Sequence, residues 1–197
     1  ATSEFAGGCQ VETTWRPYQL DPTIAREGRP YRDYMKAKFS GEHADRWKQM
    51  REYLEAAAPD AGIEFRFDDI KTRPNTLNAH RLMRWAAGQG KADAMAEELF
   101  DAFFRRSEDI GDPAVLAACA ETAGLERPVI ADLLSTDRDE KAVWDEEMYY
   151  RKLGVSGVPT YIFNGQFAVS GAQEPAALAD AIREAAKQPA EEEEISE

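Results

Sequence analysis

The chain has 197 residues and a formal net charge of −13, with 43% hydrophobic and 31% charged residues. At roughly 150 residues per domain this is one domain, or one carrying a sizeable insertion. The apolar fraction excludes a disordered chain, no apolar run approaches the ~20 residues of a membrane helix, and 24 Lys and Arg against 37 Asp and Glu, with no basic stripe, argue against nucleic acid.

Residues 1–6, ahead of Gly7-Gly8, read as the last turns of a helix with its C-terminal glycines. Gln10 to Gln19 is β-branched and aromatic and leads to Pro17 and Pro22, a strand running out into a loop. Residues 42–58 form a helical run closed near Pro59 and Gly62, and Ile63 to Phe67 alternates as a short strand. From Asn75 to Leu134 the pattern is helical. Asn75 caps a helix carrying Leu77, Arg81 and Leu82, with Gly88 and Gly90 ending it. Met95, Leu99 and Phe103 follow at four-residue spacing beside Phe100 and Phe104, and these aromatics read as core or cleft lining, with core favoured. Asp112-Pro113 pairs a cap with Pro at the first helical position, and Leu116, Cys119 and Ala123 share a face. Asp137 to Leu153 is a further long helix. Val155 to Phe163 then leads into a strand, Asn164-Gly165 is a hairpin turn, and Gln166 to Ser170 returns. Pro175 opens a last helix with Leu178, Ile182 and Ala185 on one face. The end, with Glu191 to Glu194, reads as a solvated, disordered and solubilising tail.

Two histidines, His43 and His80, without paired cysteines give no zinc-like spacing. Asp68-Asp69 and Asp145-Glu146-Glu147 read as solvated surface. Gly154-Val155-Ser156-Gly157-Val158 nearly imitates a nucleophile elbow, but the second glycine is misplaced and the segment leads into a strand, so a serine hydrolase is rejected. No phosphate-cradling glycine loop is present. Cys9 and Cys119 are far apart, form no disulfide framework and suggest a reducing, cytoplasmic setting. No charged segment followed by an apolar one opens the chain. What remains is Val158-Pro159, a proline placed just before an apolar strand, where it cannot donate to a ladder.

GVSGVPTYIFNGQFAVSGAQ resembles the C-terminal half of a thioredoxin-like domain of the DsbA superfamily. TTWRPYQLDP resembles that family's second strand and following loop. RPNTLNAHRLMRWA, with Asn75, Ala79, His80 and Arg81, resembles the start of its inserted helical domain, and ELFDAFFRRSEDIGD resembles the next helix and loop. SGAQ points to the FrnE-like branch, because the related 2-hydroxychromene-2-carboxylate isomerases and kappa-class glutathione transferases have an aspartate-arginine pair there.

The resemblance implies an α/β thioredoxin-like fold with an inserted all-helical domain. Residues 1–64 and 151–188 would form the thioredoxin-like part, 65–150 the insertion and 189–197 the acidic tail. It implies dithiol–disulfide exchange on protein or small-molecule thiol and disulfide substrates, with no metal or organic cofactor, no nucleic acid, no membrane, and a homo-oligomer as one outcome. The Val158–Pro159 bond would be cis. Pro159 would keep thiolates from capturing metal, and Val158 would offer main chain to the substrate, with Asn75 and His80 also assigned to the cleft. The same residues have plain readings: Asn75 is a helix cap first, His80 packs at a domain junction, and Cys119 is a buried inert thiol.

Family members open with a strand, a Cys-Pro-Trp-Cys-type motif and a helix start that match nothing in the 197 residues, with residues 1–8 matching the end of that helix. No catalytic residue is therefore assigned, and the 197 residues alone are expected to be inactive in dithiol turnover. With the central strand lacking, the strands near 10–19 and 160–164 would face each other as open edges, so the chain alone would be unstable, or another segment or protomer would fill the gap. Two alternatives belong to other classes: a glutathione-dependent isomerase or transferase, and a non-catalytic binding fragment.

Overall fold

The computed structural model describes residues 2–4, by their strand alone, 10–40 and 43–187. Cys9 and the acidic tail at 189–197 lie outside the described residues. The chain divides into two compact units, residues 1–20 with 145–197, and residues 21–144, the division falling between Trp144 and Asp145.

In the first unit, β1 (Thr2–Glu4) pairs antiparallel with β2 (Gln10–Glu12), Ser3 opposite Val11. Residues 2–4 are thus a strand rather than the end of a helix, and β-branched Thr2 and Val11 suit that ladder. The strand expected over 10–19 stops at Glu12, because residues 13–19 have no ladder to join and run out as irregular chain. Within Glu140–Lys152 (α7 as numbered below), the Asp145–Lys152 part belongs to this unit. Thr160–Phe163 (β5) and Phe167–Ser170 (β6) form a hairpin in the register Tyr161 opposite Val169. Asn164 at φ 49° and Gly165 at φ 72° both occupy the left-handed region that its turn requires. Phe163 and Phe167 stack across the strands, ring centroids 5.0 Å apart. The helix Pro175–Ala186 (α8) packs on β5, and Asn164 Nδ2 donates to the Ala185 carbonyl at 3.1 Å. β2 and β5 belong to separate two-stranded ladders; among the described residues no strand pairs with both of them.

The second unit starts with Arg29–Pro30 (β3) and the helix Tyr31–Lys38 (α1), followed by His43–Ala57 (α2). Thr72–Arg73 (β4) pairs with β3. Ile63 to Phe67 forms no strand: the Arg66 N–H donates to the Phe104 carbonyl, and the alternation instead serves rings, Phe65 stacking on Phe67 at 4.8 Å with Phe104 edge-on. Tyr31, Phe67, Ile70 and Phe103 make one core, so residues 31–70 pack with the helices that follow them. Leu77–Ala87 (α3), Ala92–Phe100 (α4), Pro113–Thr122 (α5) and Arg127–Leu134 (α6) enclose a second core of Leu82, Met95, Leu99, Leu116, Cys119 and Ile130. These apolar positions recur at helical spacing, which is why the pattern was readable. Asp112 Oδ1 accepts from the Ala114 N–H and Pro113 starts α5, the expected cap. After α4 the backbone widens into a π turn over Asp101–Arg105. The last helix, Glu140–Lys152, is α7.

Candidate functional site

The chain reaches Val158 through a tightly defined turn. At the end of α7 the Val155 N–H donates to the Tyr150 carbonyl at 3.1 Å and the Gly154 N–H to the Arg151 carbonyl at 3.0 Å, with Gly154 at φ 96°. That is a Schellman closure, whose left-handed residue suits glycine because no Cβ is present to clash. Three residues later Thr160 Oγ1 donates to the Gly157 carbonyl at 2.7 Å, folding the loop onto the head of β5. The Val158–Pro159 peptide is cis. The Pro159 carbonyl accepts from the Gly171 N–H at 2.8 Å, extending the hairpin ladder by one bond.

Val158 itself is 50% exposed, and among the described residues no hydrogen bond reaches its main-chain N–H or C=O. A residue whose main-chain donor and acceptor are unengaged, in the bend two positions before β5, can offer them to an incoming backbone. Pro159 beside it has no N–H and is exposed, so it adds a flat apolar surface and no competing donor.

Behind this loop, α7 is fixed by a buried charge network. Glu147 is fully buried and accepts from the Gln19 N–H and Nε2, each at 3.0 Å, and from Arg151 Nε at 2.9 Å. Arg151 also donates to the Tyr18 hydroxyl at 3.0 Å, and its guanidinium lies over the Tyr18 ring at 4.1 Å. Such a network tolerates burial because each polar atom has a partner. The sequence reading placed Glu147 on solvated surface. The structure corrects that, and the Glu147/Arg151 four-residue spacing was the available signal.

Asn75 and His80 belong to the second unit, at the start of α3. Both ends of the Asn75 amide are engaged: Nδ2 donates to the Ile24 carbonyl at 2.6 Å and Oδ1 accepts from the Leu77 N–H at 3.0 Å. Its geometry is that of a pin for the helix start. His80 is half-buried and its N–H donates to the Thr76 carbonyl at 3.0 Å. The next residue, Arg81, is fully buried and donates to the carbonyls of Arg138, Leu133 and Thr136 at 2.7, 2.9 and 2.8 Å. Its guanidinium lies 5.0 Å from the Trp85 ring centroid.

Cys119 is free and buried on α5, at a pocket of about 420 Å³ that also presents Glu98, Arg106 and Glu108. Burial, reinforced by Glu98, pushes its thiol up to about 11, so almost none of it is thiolate near neutral pH. Among the described residues no group of His, Cys, Asp and Glu could hold a metal ion, and no helix is long and apolar enough to cross a membrane.

A probable DsbA oxidoreductase from Streptomyces coelicolor has a similar fold, with a TM-score of 0.80 over 92% of this chain and 78% of that one at 24% identity. The uncharacterized protein YwbO of Bacillus subtilis is 26% identical over 174 residues, 87% of this chain and 81% of the relative. The model of the DSBA-like thioredoxin domain matches residues 3–183. Those 181 residues include both the hairpin with Val158 and the helical 77–134 segment, so the chain belongs to the DSBA-like thioredoxin domain family, a family of thiol–disulfide oxidoreductase type, with a thioredoxin-like fold and a helical insertion.

Proposed function

We propose that this chain serves thiol–disulfide exchange on protein or small-molecule substrates, as a FrnE-like member of its family working in the cytoplasm, and that its own share is to hold the substrate beside Val158 and Pro159. The observation that carries this reading is half-exposed Val158, whose main-chain N–H and C=O have no hydrogen bond among the described residues. Exchange requires a thiolate to attack a disulfide sulfur through a mixed disulfide, with a second thiol to resolve it. The 197 residues contain Cys9 and Cys119 only, and Cys119 is held protonated by burial. The residues present therefore bind and orient; they do not cycle a dithiol.

The test is calorimetric titration with a disulfide-cyclised peptide, repeated with Val158→Pro. Removing the Val158 N–H should weaken binding by about tenfold, the value of one well-formed main-chain hydrogen bond at an interface. Unchanged affinity in Val158→Pro, with wild-type circular dichroism, would refute the role of that main chain.

A further inference from the structure

We propose that β3, β4 and α1 of the second unit form a binding site for a doubly charged oxyanion, such as a phosphate or dicarboxylate group carried by a small ligand. The reading is independent of the thiol-exchange proposal.

Arg29 and Arg73 stand directly opposite each other in the β3–β4 ladder. Opposed residues of an antiparallel pair project from the same face with their Cβ atoms close, and like charges placed so are destabilising unless something answers them. Among the described residues neither arginine has an ion pair or a side-chain hydrogen bond to an acid. Arg73 Nε is fully buried and has no hydrogen-bond partner.

The approach of the two strands is itself enforced. Gly28 has φ +76°, and a Cβ there would lie 2.5 Å from Thr72 Cγ2 and 3.0 Å from the Arg73 carbonyl oxygen. Only glycine allows β3 to lie this close to β4, in the register that sets Arg29 and Arg73 on one face of the ladder.

A third cation faces the same aromatic ring. Tyr34 has the Arg73 guanidinium 5.3 Å from its ring centroid and the Lys38 ammonium 5.5 Å from it. Lys38 Nζ also donates to the Tyr34 hydroxyl at 3.4 Å. The acid near this group is Asp21, which is held low by its bonds from Thr23, with further lowering from Tyr34 and Lys38. Residues 27–38 and 71–73 contribute Arg29, Arg32, Lys36, Lys38, Lys71 and Arg73 against Glu27 and Asp33, in a chain of net charge −13; nearby Asp68 is paired with Arg51.

A positive local field in so acidic a protein attracts a compact anion. The planar guanidinium fork matches carboxylate and phosphate oxygens with paired bonds. With Asp68 answered by Arg51, two arginines and a lysine against Asp21 leave room for two negative charges.

The test follows the Arg73 Nε–H resonance of the full chain by NMR during titration with inorganic phosphate and, separately, succinate. Chloride holds ionic strength constant. A saturable, single-site shift at millimolar phosphate or succinate supports the site; saturation by one ligand alone identifies which oxyanion chemistry it takes. Arg29→Gln, at an exposed position, should weaken binding by about tenfold, with Lys38→Gln as a second variant on a different element. Remote Arg127→Gln should leave it unchanged. A linear, non-saturating response to both anions, or parental affinity in both Arg29→Gln and Lys38→Gln, would overturn the proposal.

Discussion

Replacing Arg81 with Met removes a charge but nearly preserves volume, which isolates the polar role of that side chain. In the native chain Arg81 closes the end of α6 by donating to the carbonyls of Leu133, Thr136 and Arg138, and Asn78 Oδ1 accepts a further bond at 2.8 Å. The last carbonyls of a helix have no partner within it. Each buried acceptor left bare costs about 1–3 kcal/mol. Leu133 also accepts from the Thr136 N–H and hydroxyl, so its share is the smallest. The expected total is about 3–5 kcal/mol, the range for removing one partner of a buried charge network and a large part of the ~5–15 kcal/mol of an ordinary domain. Urea unfolding followed by circular dichroism measures it. Arg81→Lys should recover part, since an ammonium reaches fewer of these acceptors than the guanidinium fork. Arg127→Gln, which removes an exposed pair with Glu121, should cost under ~0.5 kcal/mol. If Arg81→Met unfolded within about 1 kcal/mol of the parent at unchanged slope, the reasoning would be refuted.

Further expectations follow from other sites. In a Cys9→Ser background, Cys119 should react with iodoacetamide at pH 8 far more slowly than a free thiol and speed up as pH rises toward 11; a free-thiol rate would contradict its burial. Gly28→Ala should destabilise by about 1–3 kcal/mol through its positive φ and the Thr72 contact, measured by thermal melting. Glu140 is held below its ordinary value of 4.5, first by the hydrogen bond from Arg26. Its folded pKa is depressed, so its contribution is present above pH 4.5 and lost as pH falls further; Arg26→Gln should flatten that acid limb in stability measured against pH. Insulin reduction by the 197-residue chain should not exceed that of Cys9→Ser/Cys119→Ser, and turnover above that control would show a working dithiol.

What the sequence made legible had local causes. The helices from 77 to 134 were announced by apolar residues at three- and four-residue spacing, and their ends by Asp112-Pro113 and by glycines. Asn164-Gly165 specified its turn because both positions need positive φ. Val158-Pro159 stood out because a proline opposes the strand pattern around it. The misreadings arose where long-range partners decide. Phe65 and Phe67 alternate like a strand, yet Phe104, nearly forty positions away, sets their packing. Thr2 to Glu4 pairs with Gln10 to Glu12, and nothing local separates that from a helix end. Glu147 sits among acids that read as surface, and its burial depends on Gln19, 128 positions away. Arg29 and Arg73 are separated by forty-four positions, so only the strand register brings them together.

The central claim is that the Val158 main chain receives the substrate. The most direct measurement is the backbone amide spectrum of the uniformly labelled chain during titration with a disulfide-cyclised peptide and with oxidised glutathione. A saturable shift centred on Gly157, Val158 and Thr160, absent with the corresponding serine peptide, is the predicted result. Shifts that saturate elsewhere while Val158 stays fixed would contradict it.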